Sequence, residues 1–264
     1  MDVRSIAPLA GVCLVILGGI GSAAHAADPA PEGPVPTGAD LGVRISSLPD
    51  RRVPGPSERG GTYTARILIG TAVRRRPGRA ATEWYAGIRT KWSGASQHLM
   101  VLESREVRGK MWLKVRLPIR PNRAAGWIPR DRVRLTLSRR YILIDRSRRL
   151  LRVYRKGRVV ARFKVVVGAR ATPTPVGLFA LYDRVPQADP NGFIGPWAMP
   201  LTAHSEPLRR YDGGPGLVAL HGRAGASLLD PLGTARSHGC VRMNNSRIRH
   251  LTKYDLGTAV RIKQ

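Results

Sequence analysis

One stretch of the sequence, residues 220–244, concentrates the reactive side chains of the chain. The 264 residues include two cysteines and six histidines, and this stretch contains Cys240, His221 and His238. The other cysteine, Cys13, lies in an apolar run near the N-terminus. In cysteine chemistry the thiolate is the nucleophile, and a neighbouring imidazole can take the thiol proton. The sequence therefore predicts a nucleophilic cysteine at position 240.

Two glycines in the stretch favour a preorganised site. Gly222 follows His221, and its carbonyl can approach the imidazole closely because no side chain blocks it. Such a partner would fix the tautomer of the imidazole. A tight turn at Gly239 would direct backbone N–H groups at a developing oxyanion. If this segment begins as a strand, His238 and Cys240 share one face, and the spacing leaves either histidine as the base.

The order of these residues resembles the signature of the YkuD-type L,D-transpeptidases. That signature is a histidine, a spacer of restricted length, Ser/Thr-His-Gly-Cys, a hydrophobic residue and often Asn. Here residues 222–236 are the spacer, and residues 237–241 read Ser-His-Gly-Cys-Val. Arg242 stands where the simplest form has Asn, so the role of that Asn is not assigned to Asn244. The resemblance covers residues 139–264.

The resemblance implies a role for each residue of the motif. Cys240 would be the nucleophile, and His221 would be the proton donor and acceptor. The carbonyl of Gly222 would orient the imidazole of His221. His238 and Gly239 would form the oxyanion turn together with the nucleophile and support it.

Four further residues are candidates for contact with the substrate: Ser237, Arg242, Trp197 and His204. Trp197 and His204 lie within residues 183–216, which read as a long, irregular lid over the acyl-donor site. Packing of these two side chains against the core explains them equally well. For Arg242, a salt bridge that braces the loop is favoured over a substrate carboxylate as partner.

The resemblance further implies an enzyme of the bacterial cell wall. Cys240 would attack the third residue of a peptidoglycan stem peptide, release D-Ala and pass the acyl group on as a 3→3 crosslink. Carbapenem-type β-lactams would acylate the same thiol, and no cofactor or metal is implied. Transfer to water (an L,D-carboxypeptidase), transfer to a protein, and a non-catalytic wall-binding module stay open. Zinc binding by His221, His238, Cys240 and His204 is disfavoured by their uneven spacing.

Charge and the N-terminal segment predict where the protein works. Lys and Arg total 45 against 17 acidic residues, a formal net charge of +28, which favours polyanionic partners. Residues 1–26 read as a signal peptide, with Arg4, an apolar run and Ala24-His25-Ala26. A membrane anchor is the alternative, although the run is short for a span. We therefore expect an exported, extracytoplasmic protein that meets anionic cell-wall polymers and no nucleic acid.

Two regions precede the motif-bearing part. Residues 27–61 are rich in Pro and Gly and predict a semi-extended linker. Residues 62–137 contain short β-type runs separated by turns, which predict a small β-barrel. Within them, Met111–Val115 and Gly126–Pro129 resemble bacterial SH3-like domains. This region would either bind the wall or serve as a packing scaffold.

The predicted fold is mainly β. A small SH3-like β-barrel is followed by a β-sandwich-like L,D-transpeptidase catalytic domain, residues 139–264, with a short helix after the nucleophile. That helix would run from Asn244 or Asn245 to Lys253, and its N-terminus would lower the pKa of the Cys240 thiol. Residues 172–179 resemble the Thr-Pro-x-Gly-x-Phe segment of the same family, with a structural role.

Overall fold

The computed structural model describes residues 52–79, 82–211 and 214–264. The predicted signal peptide, residues 1–26, and most of the predicted linker, residues 27–61, lie outside the described residues. Within the described part the chain is mainly β, as predicted, with 18 strands and a single α-helix. No helix there has the length and apolar character needed to cross a bilayer.

The first part of the described chain forms one antiparallel sheet of seven strands. These are β1 (Thr62–Ile67), β2 (Thr71–Arg74), β3 (Thr82–Ala86), β4 (His98–Val107), β5 (Lys110–Arg116), β6 (Ala125–Pro129) and β7 (Val133–Ser138). Their order across the sheet is β3-β2-β6-β5-β4-β1-β7. Leu113, Val115 and Ile128 are fully buried in its apolar cluster, because alternate side chains of a strand point to one face. The SH3-like character of this region stays a prediction.

Two details of this sheet differ from the sequence prediction. The run at residues 63–72 is two strands, because the N–H groups of Leu68 and Ile69 donate to the carbonyl of Arg132 and the chain turns there. The pattern also does not predict β3. This strand lies at the edge of the sheet, and its aromatic Tyr85 is 62% exposed beside the half-buried Trp84, so the sequence shows no alternation of apolar and polar residues there.

The second part of the chain forms three further sheets. Its strands are β8 (Arg140–Asp145), β9 (Leu150–Arg155), β10 (Arg158–Lys164), β11 (Val167–Gly168), β12 (Gly177–Ala180), β13 (Val185–Pro186), β14 (Trp197–His204), β15 (Leu217–His221), β16 (Ala235–Ser237), β17 (Val241–Arg242) and β18 (Ala259–Lys263), and its helix is α1 (Asn245–Leu251). The sheet orders are β10-β9-β8-β18-β12, β13-β14-β15-β17 and β11-β16.

The five-stranded and four-stranded sheets share one apolar core. Ile142 and Val153 of the first sheet, Leu220 and Val241 of the second, and Ile248 of α1 all belong to one buried cluster. Burying each such side chain stabilises the fold by about 1.5–3 kcal/mol. This core therefore fixes the positions at which β15 ends and β17 begins, the two points that carry the reactive side chains.

Residues 183–216 are not the irregular lid that the sequence predicts. They contain β13 and the eight-residue β14, which lies inside the four-stranded sheet. The pattern misses β14 because its side chains are buried in continuous succession rather than alternately. Pro200 also argues against an interior strand, since it has no N–H to donate. The register of β14 shifts between Pro200 and His204.

Buried polar contacts join the two parts of the chain. Asp183, a fully buried carboxylate of the second part, accepts hydrogen bonds from the backbone N–H groups of Trp92 and Ser93, both at 3.2 Å, and from the Ser93 hydroxyl. Ser138 and Thr258 share a buried hydroxyl–hydroxyl hydrogen bond of 2.8 Å. The seven-stranded sheet is thus held directly against the part that carries the motif.

Candidate active site

His221 lies at the end of β15 and is only 1% exposed. Its Nδ1 is 2.8 Å from the carbonyl oxygen of Gly222. Because a carbonyl oxygen can only accept, Nδ1 carries the proton of this pair, and the neutral ring keeps a lone pair on Nε2. Nε2 is buried and has no hydrogen-bond partner among the described residues. A base oriented in this way can take a proton from a thiol or an amine.

Gly222 is held in place by Asn245, the first residue of α1. Oδ1 of Asn245 accepts a hydrogen bond of 2.8 Å from the backbone N–H of Arg223. A Cβ added to Gly222 would lie 2.3 Å from the same Oδ1, so this position excludes a side chain. The sequence singled out Asn245 only as a helix cap. The N-cap is Asn244, which makes no side-chain capping bond.

Cys240 is 8% exposed and lies between β16 and β17. The strands β15 and β17 are parallel, with Leu220 opposite Val241 and His221 opposite Arg242. Cys240 therefore directly precedes this two-residue ladder, and His221 is the last residue of the ladder on β15. The predicted junction of a strand with a helix at the cysteine is wrong, because β17 intervenes before α1. The predicted effect of the α1 N-terminus on the thiol pKa stays a prediction.

Ser237 organises the turn that carries the nucleophile. Its hydroxyl donates to the carbonyl of Cys240 at 2.5 Å and accepts from the N–H of Gly239 at 3.1 Å. Ser237 is fully buried, so the structure places its hydroxyl inside the turn and not at the predicted substrate surface. The φ of Gly239 is +117°, a backbone conformation that favours glycine. Because its N–H donates to Ser237, Gly239 supports the turn, and the oxyanion donors expected from this turn stay a prediction.

Two threonines brace this turn from the side. The hydroxyl of Thr172 donates to the carbonyl of Ser237 at 3.1 Å, and that of Thr174 donates to the carbonyl of Gly239 at 2.8 Å. The Thr174 hydroxyl also accepts from the N–H of Gly168 at 2.9 Å, and this threonine is fully buried. Two residues of segment 172–179 therefore have a defined structural role, which is to hold the turn before Cys240. These hydroxyls fix the backbone on either side of His238.

His238 and Cys240 do not share a face. His238 is exposed whereas Cys240 is buried, because the positive φ of Gly239 interrupts the alternation expected for a strand. The ring of His238 lies beside that of Tyr211, with centroids 5.3 Å apart and planes inclined by 31°. Nδ1 of His238 is 3.5 Å from the Tyr211 hydroxyl. His238 thus forms part of the outer rim of the site.

Arg242 forms the salt bridge that the sequence favoured over substrate contact. It is 3% exposed, and its Nη1 lies 2.5 Å from Oδ2 of Asp230. Its guanidinium carbon lies 4.7 Å from the ring centre of Phe193. Arg223 joins this group by donating to the backbone carbonyl of Asp230 at 2.6 Å. Burial lowers the pKa of Arg223, with a further contribution from the charge of Arg242. The pair ties the loop after His221 to β17.

Trp197 and His204 occupy the two ends of β14. Trp197 is half-buried and packs against the main core. His204 is 4% exposed, and its Nδ1 is buried without a partner among the described residues. Burial, assisted by the charge of Arg120, lowers the pKa of His204 to about 4. The sequence left open whether these two side chains contact the substrate or pack against the core. In the structure both pack against the protein interior.

The zinc alternative finds no supporting geometry. Across residues 52–79, 82–211 and 214–264, no group of three or more His, Cys, Asp or Glu side chains is arranged to hold a metal ion. Within the same residues His221 uses Nδ1 for a carbonyl, and His238 stands at the surface.

The motif and its surroundings match a known catalytic family. Residues 139–262 fit the family model described as the L,D-transpeptidase catalytic domain, YkuD. This region is therefore similar to L,D-transpeptidase catalytic domains. A protein of Bacillus licheniformis, named as an L,D-transpeptidase of the YkuD type, is 30% identical over 110 residues. The match covers 42% of this chain and 56% of that protein, so the chain spans little more than half of its relative.

Solved L,D-transpeptidase structures are also similar. An Enterococcus faecium L,D-transpeptidase has 25% identity and a TM-score of 0.33, and the match covers 47% of this chain and 49% of that one. L,D-transpeptidase 3 of Mycobacterium tuberculosis, in complex with a faropenem-derived adduct, has 15% identity and a TM-score of 0.37. That match covers 59% of this chain and 91% of the other.

Proposed function

We propose that this protein is a peptidoglycan L,D-transpeptidase that works through a thioester on Cys240. The observation that carries the proposal is the orientation of His221, whose Nδ1 is fixed by the Gly222 carbonyl. This leaves the unpartnered Nε2 in the buried site next to β17, the strand that directly follows the cysteine. The family match of residues 139–262 supports the reaction class.

In the first half-reaction Nε2 of His221 takes the proton of the Cys240 thiol. The thiolate attacks the carbonyl carbon of the third residue of a stem tetrapeptide, and the carbonyl oxygen becomes an oxyanion. The imidazolium then protonates the amide nitrogen of the leaving residue. The C–N bond breaks, D-Ala departs, and a thioester joins Cys240 to the third residue. The rigid turn at residues 237–240 limits the reorganisation that this step requires.

In the second half-reaction His221 acts as base again. An amine on the third residue of a neighbouring stem gives its proton to Nε2 and attacks the thioester carbon. The C–S bond breaks, and the thiolate is protonated by the imidazolium, which completes the cycle with a 3→3 crosslink. The residues around the nucleophile serve the first half-reaction whichever acceptor follows. Water and a protein amine are therefore the competing acceptors.

The deciding experiment is incubation of the full chain with a disaccharide-tetrapeptide, followed by intact-mass analysis of the products. We expect a crosslinked dimer with loss of one D-Ala, absent for Cys240→Ala. Tripeptide alone would show an L,D-carboxypeptidase. No product, together with an unchanged protein mass after carbapenem treatment, would rule out Cys240 as a nucleophile and favour a non-catalytic wall-binding module.

Acylation by β-lactams is part of the same proposal. A carbapenem carbonyl would meet the same thiolate and the same oxyanion turn as the stem peptide. The faropenem-derived adduct of the similar mycobacterial structure supports this choice of inhibitor class. Mass analysis after carbapenem treatment should show one adduct, mapped to the peptide that contains Cys240.

We further propose that the protein is exported and meets anionic cell-wall polymers. A support for this partner is a row of arginines across the outer face of the five-stranded sheet. Arg162 lies opposite Arg152, and both Arg152 and Arg261 lie opposite Leu143. None of the three arginines forms a salt bridge with a carboxylate of the described residues. Replacement of all three by Gln should weaken salt-dependent binding to purified cell walls.

A further inference from the structure

The loop between β5 and β6, residues 117–124, reaches from the seven-stranded sheet to the motif-bearing part. Nη2 of Arg120 donates to the carbonyl of Ser205 at 2.9 Å, to that of Leu208 at 3.2 Å and to that of Pro215 at 3.3 Å. One guanidinium group therefore binds three backbone carbonyls in the segment that follows β14. Such carbonyls lie outside any strand ladder, so their geometry depends on this donor.

Asn122 of the same loop holds the end of β14. Its Nδ2 donates to the carbonyl of His204 at 2.7 Å, and its Oδ1 accepts from the N–H of His204 at 2.8 Å. Nδ2 also contacts Oε1 of Glu206. Because one amide side chain satisfies both backbone groups of a single residue, it acts as an extra strand partner for the last residue of β14.

The segment that these two residues hold, 204–211, borders the nucleophile turn. Oγ of Ser205 lies 3.8 Å from the position that a Cβ on Gly239 would take. Tyr211, at the other end of the segment, stacks against His238. The segment therefore contacts His238 and lies beside Gly239, two consecutive residues of the turn that precedes Cys240.

We propose that Arg120 and Asn122 are positioning residues of the active site, through which the seven-stranded sheet holds segment 204–211 against the turn at His238 and Gly239. Their role is to keep one wall of the acyl-donor site in place for the stem peptide. This proposal rests on the proposed function and deepens it. It makes the first sheet a working part of the catalytic unit, in addition to any binding of the wall.

The test compares Asn122→Ala, Arg120→Ala and Arg120→Lys in the full chain. Lys110→Ala is the control, because Lys110 is exposed at the start of β5 and also carries one positive charge. For the two alanine variants we expect KM for the disaccharide-tetrapeptide to rise about tenfold, more than kcat falls, since a misplaced wall weakens substrate positioning. Arg120→Lys should restore part of the loss, because an ammonium group still donates but lacks the planar guanidinium fork. The control should match the wild type.

A merely structural role gives a different result. In that case the variants lower the melting temperature, while KM and kcat of the folded protein stay at wild-type values, and this outcome would overturn the proposal. A double-mutant cycle with Tyr211→Leu adds a second criterion. If Asn122 acts through the segment that stacks on His238, the losses in kcat/KM from Asn122→Ala and Tyr211→Leu will not multiply.

A second readout separates this proposal from the proposed function. The rate of alkylation of Cys240 by iodoacetamide, mapped by peptide mass, reports the access to and environment of the thiol without any cell-wall substrate. We expect this rate to change in the Asn122 and Arg120 variants and to stay constant in the control. If the wild type forms no product from the tetrapeptide but alkylation still responds, the proposed function fails and the positioning role stands. Unchanged alkylation in the alanine variants would contradict the positioning role.

Discussion

Oδ1 of Asn245 lies 2.8 Å from the backbone nitrogen of Arg223 and accepts its hydrogen bond. The contact runs from the first turn of α1 to the loop after β15. It passes so close to Gly222 that a Cβ there would collide with the amide oxygen. Gly222 in turn supplies the carbonyl that binds Nδ1 of His221. The orientation of the proposed base therefore depends on a side chain of the helix that follows the motif.

Replacing Asn245 should impair the base without exposing it to solvent. We expect Asn245→Ala to lower kcat/KM about fivefold, because a neutral hydrogen bond is worth about 1 kcal/mol. Asn245→Asp keeps an acceptor for the Arg223 N–H and should retain more activity. Asn244→Ala is the matched control, since Asn244 makes no side-chain capping bond. Steady-state kinetics on all three variants decide the point, and equal activity of Asn245→Ala and Asn244→Ala would contradict it.

Thr174 should matter more for stability than its size suggests. Thr174→Val removes the hydroxyl that serves the carbonyl of Gly239 and the N–H of Gly168. Each buried group left without a partner costs about 1–3 kcal/mol, so the free energy of unfolding should fall by at least that amount. Thr252→Val, which loses an exposed bond to the carbonyl of Arg249, should change it by less than about 0.5 kcal/mol. Urea unfolding measures both, and similar values for the two variants would contradict the bracing role.

The salt bridge between Arg242 and Asp230 predicts a loss of stability that a second substitution should recover. Arg242→Met leaves the partly exposed carboxylate of Asp230 with the 4.0 Å contact to Arg236 as its remaining ion pair among the described residues. We therefore expect a loss of stability between those of an exposed and a buried pair, about 1–3 kcal/mol. The double variant Arg242→Met with Asp230→Leu should recover much of that stability, because neither charge remains. If Arg242 only braces the loop, KM of the double variant should stay near the wild-type value. A large rise in KM despite recovered stability would instead point to contact with a substrate carboxylate.

The pKa of His204 predicts a defined loss of stability in acid. The pKa falls from 6.5 in the unfolded chain to about 4 in the fold, so unfolding takes up a proton between these values. The stabilisation is fully present above pH 6.5 and is lost as the pH falls toward 4, with a slope of at most about 1.4 kcal/mol per pH unit.

The measurement is urea unfolding of the wild type and His204→Leu between pH 7 and 4. The difference in their free energies of unfolding should vary with pH in this window. Burial also lowers the pKa of His98, and its contribution cancels in that difference. Parallel curves for the two proteins would mean that His204 titrates normally.

The sequence indicated the residues of the candidate site more fully than the framework that holds them. The motif from His221 to Cys240 depends on local order, so its residues could be chosen before their distances were known. The partners of the turn, Thr172 and Thr174, lie far away in the chain, and a local pattern indicated only a structural role for them. The strand β14 escaped prediction because tertiary burial on both faces, with Pro200 inside, removed the alternation on which the prediction depends.

The contacts of loop 117–124 lay beyond any sequence-based prediction. Arg120 and Asn122 occur in a basic, proline-containing turn of ordinary composition. Apart from the contact of Asn122 with the Glu206 carboxylate, their hydrogen bonds go to backbone groups of residues 204–215, which carry no side-chain signature. Only the packing of one sheet against the other brings these groups together.

The buried carboxylate of Asp183 bears on how this protein can be divided. Among the described residues, three of its four hydrogen-bond donors, two backbone N–H groups and a hydroxyl, belong to Trp92 and Ser93, and the fourth is the N–H of Arg184 from its own part of the chain. A cut near residue 139 would therefore remove most of the hydrogen-bond partners of the Asp183 carboxylate. We therefore do not expect the motif-bearing part to keep its structure when it is expressed alone. Gene fusions or domain exchanges should keep it together with the seven-stranded sheet.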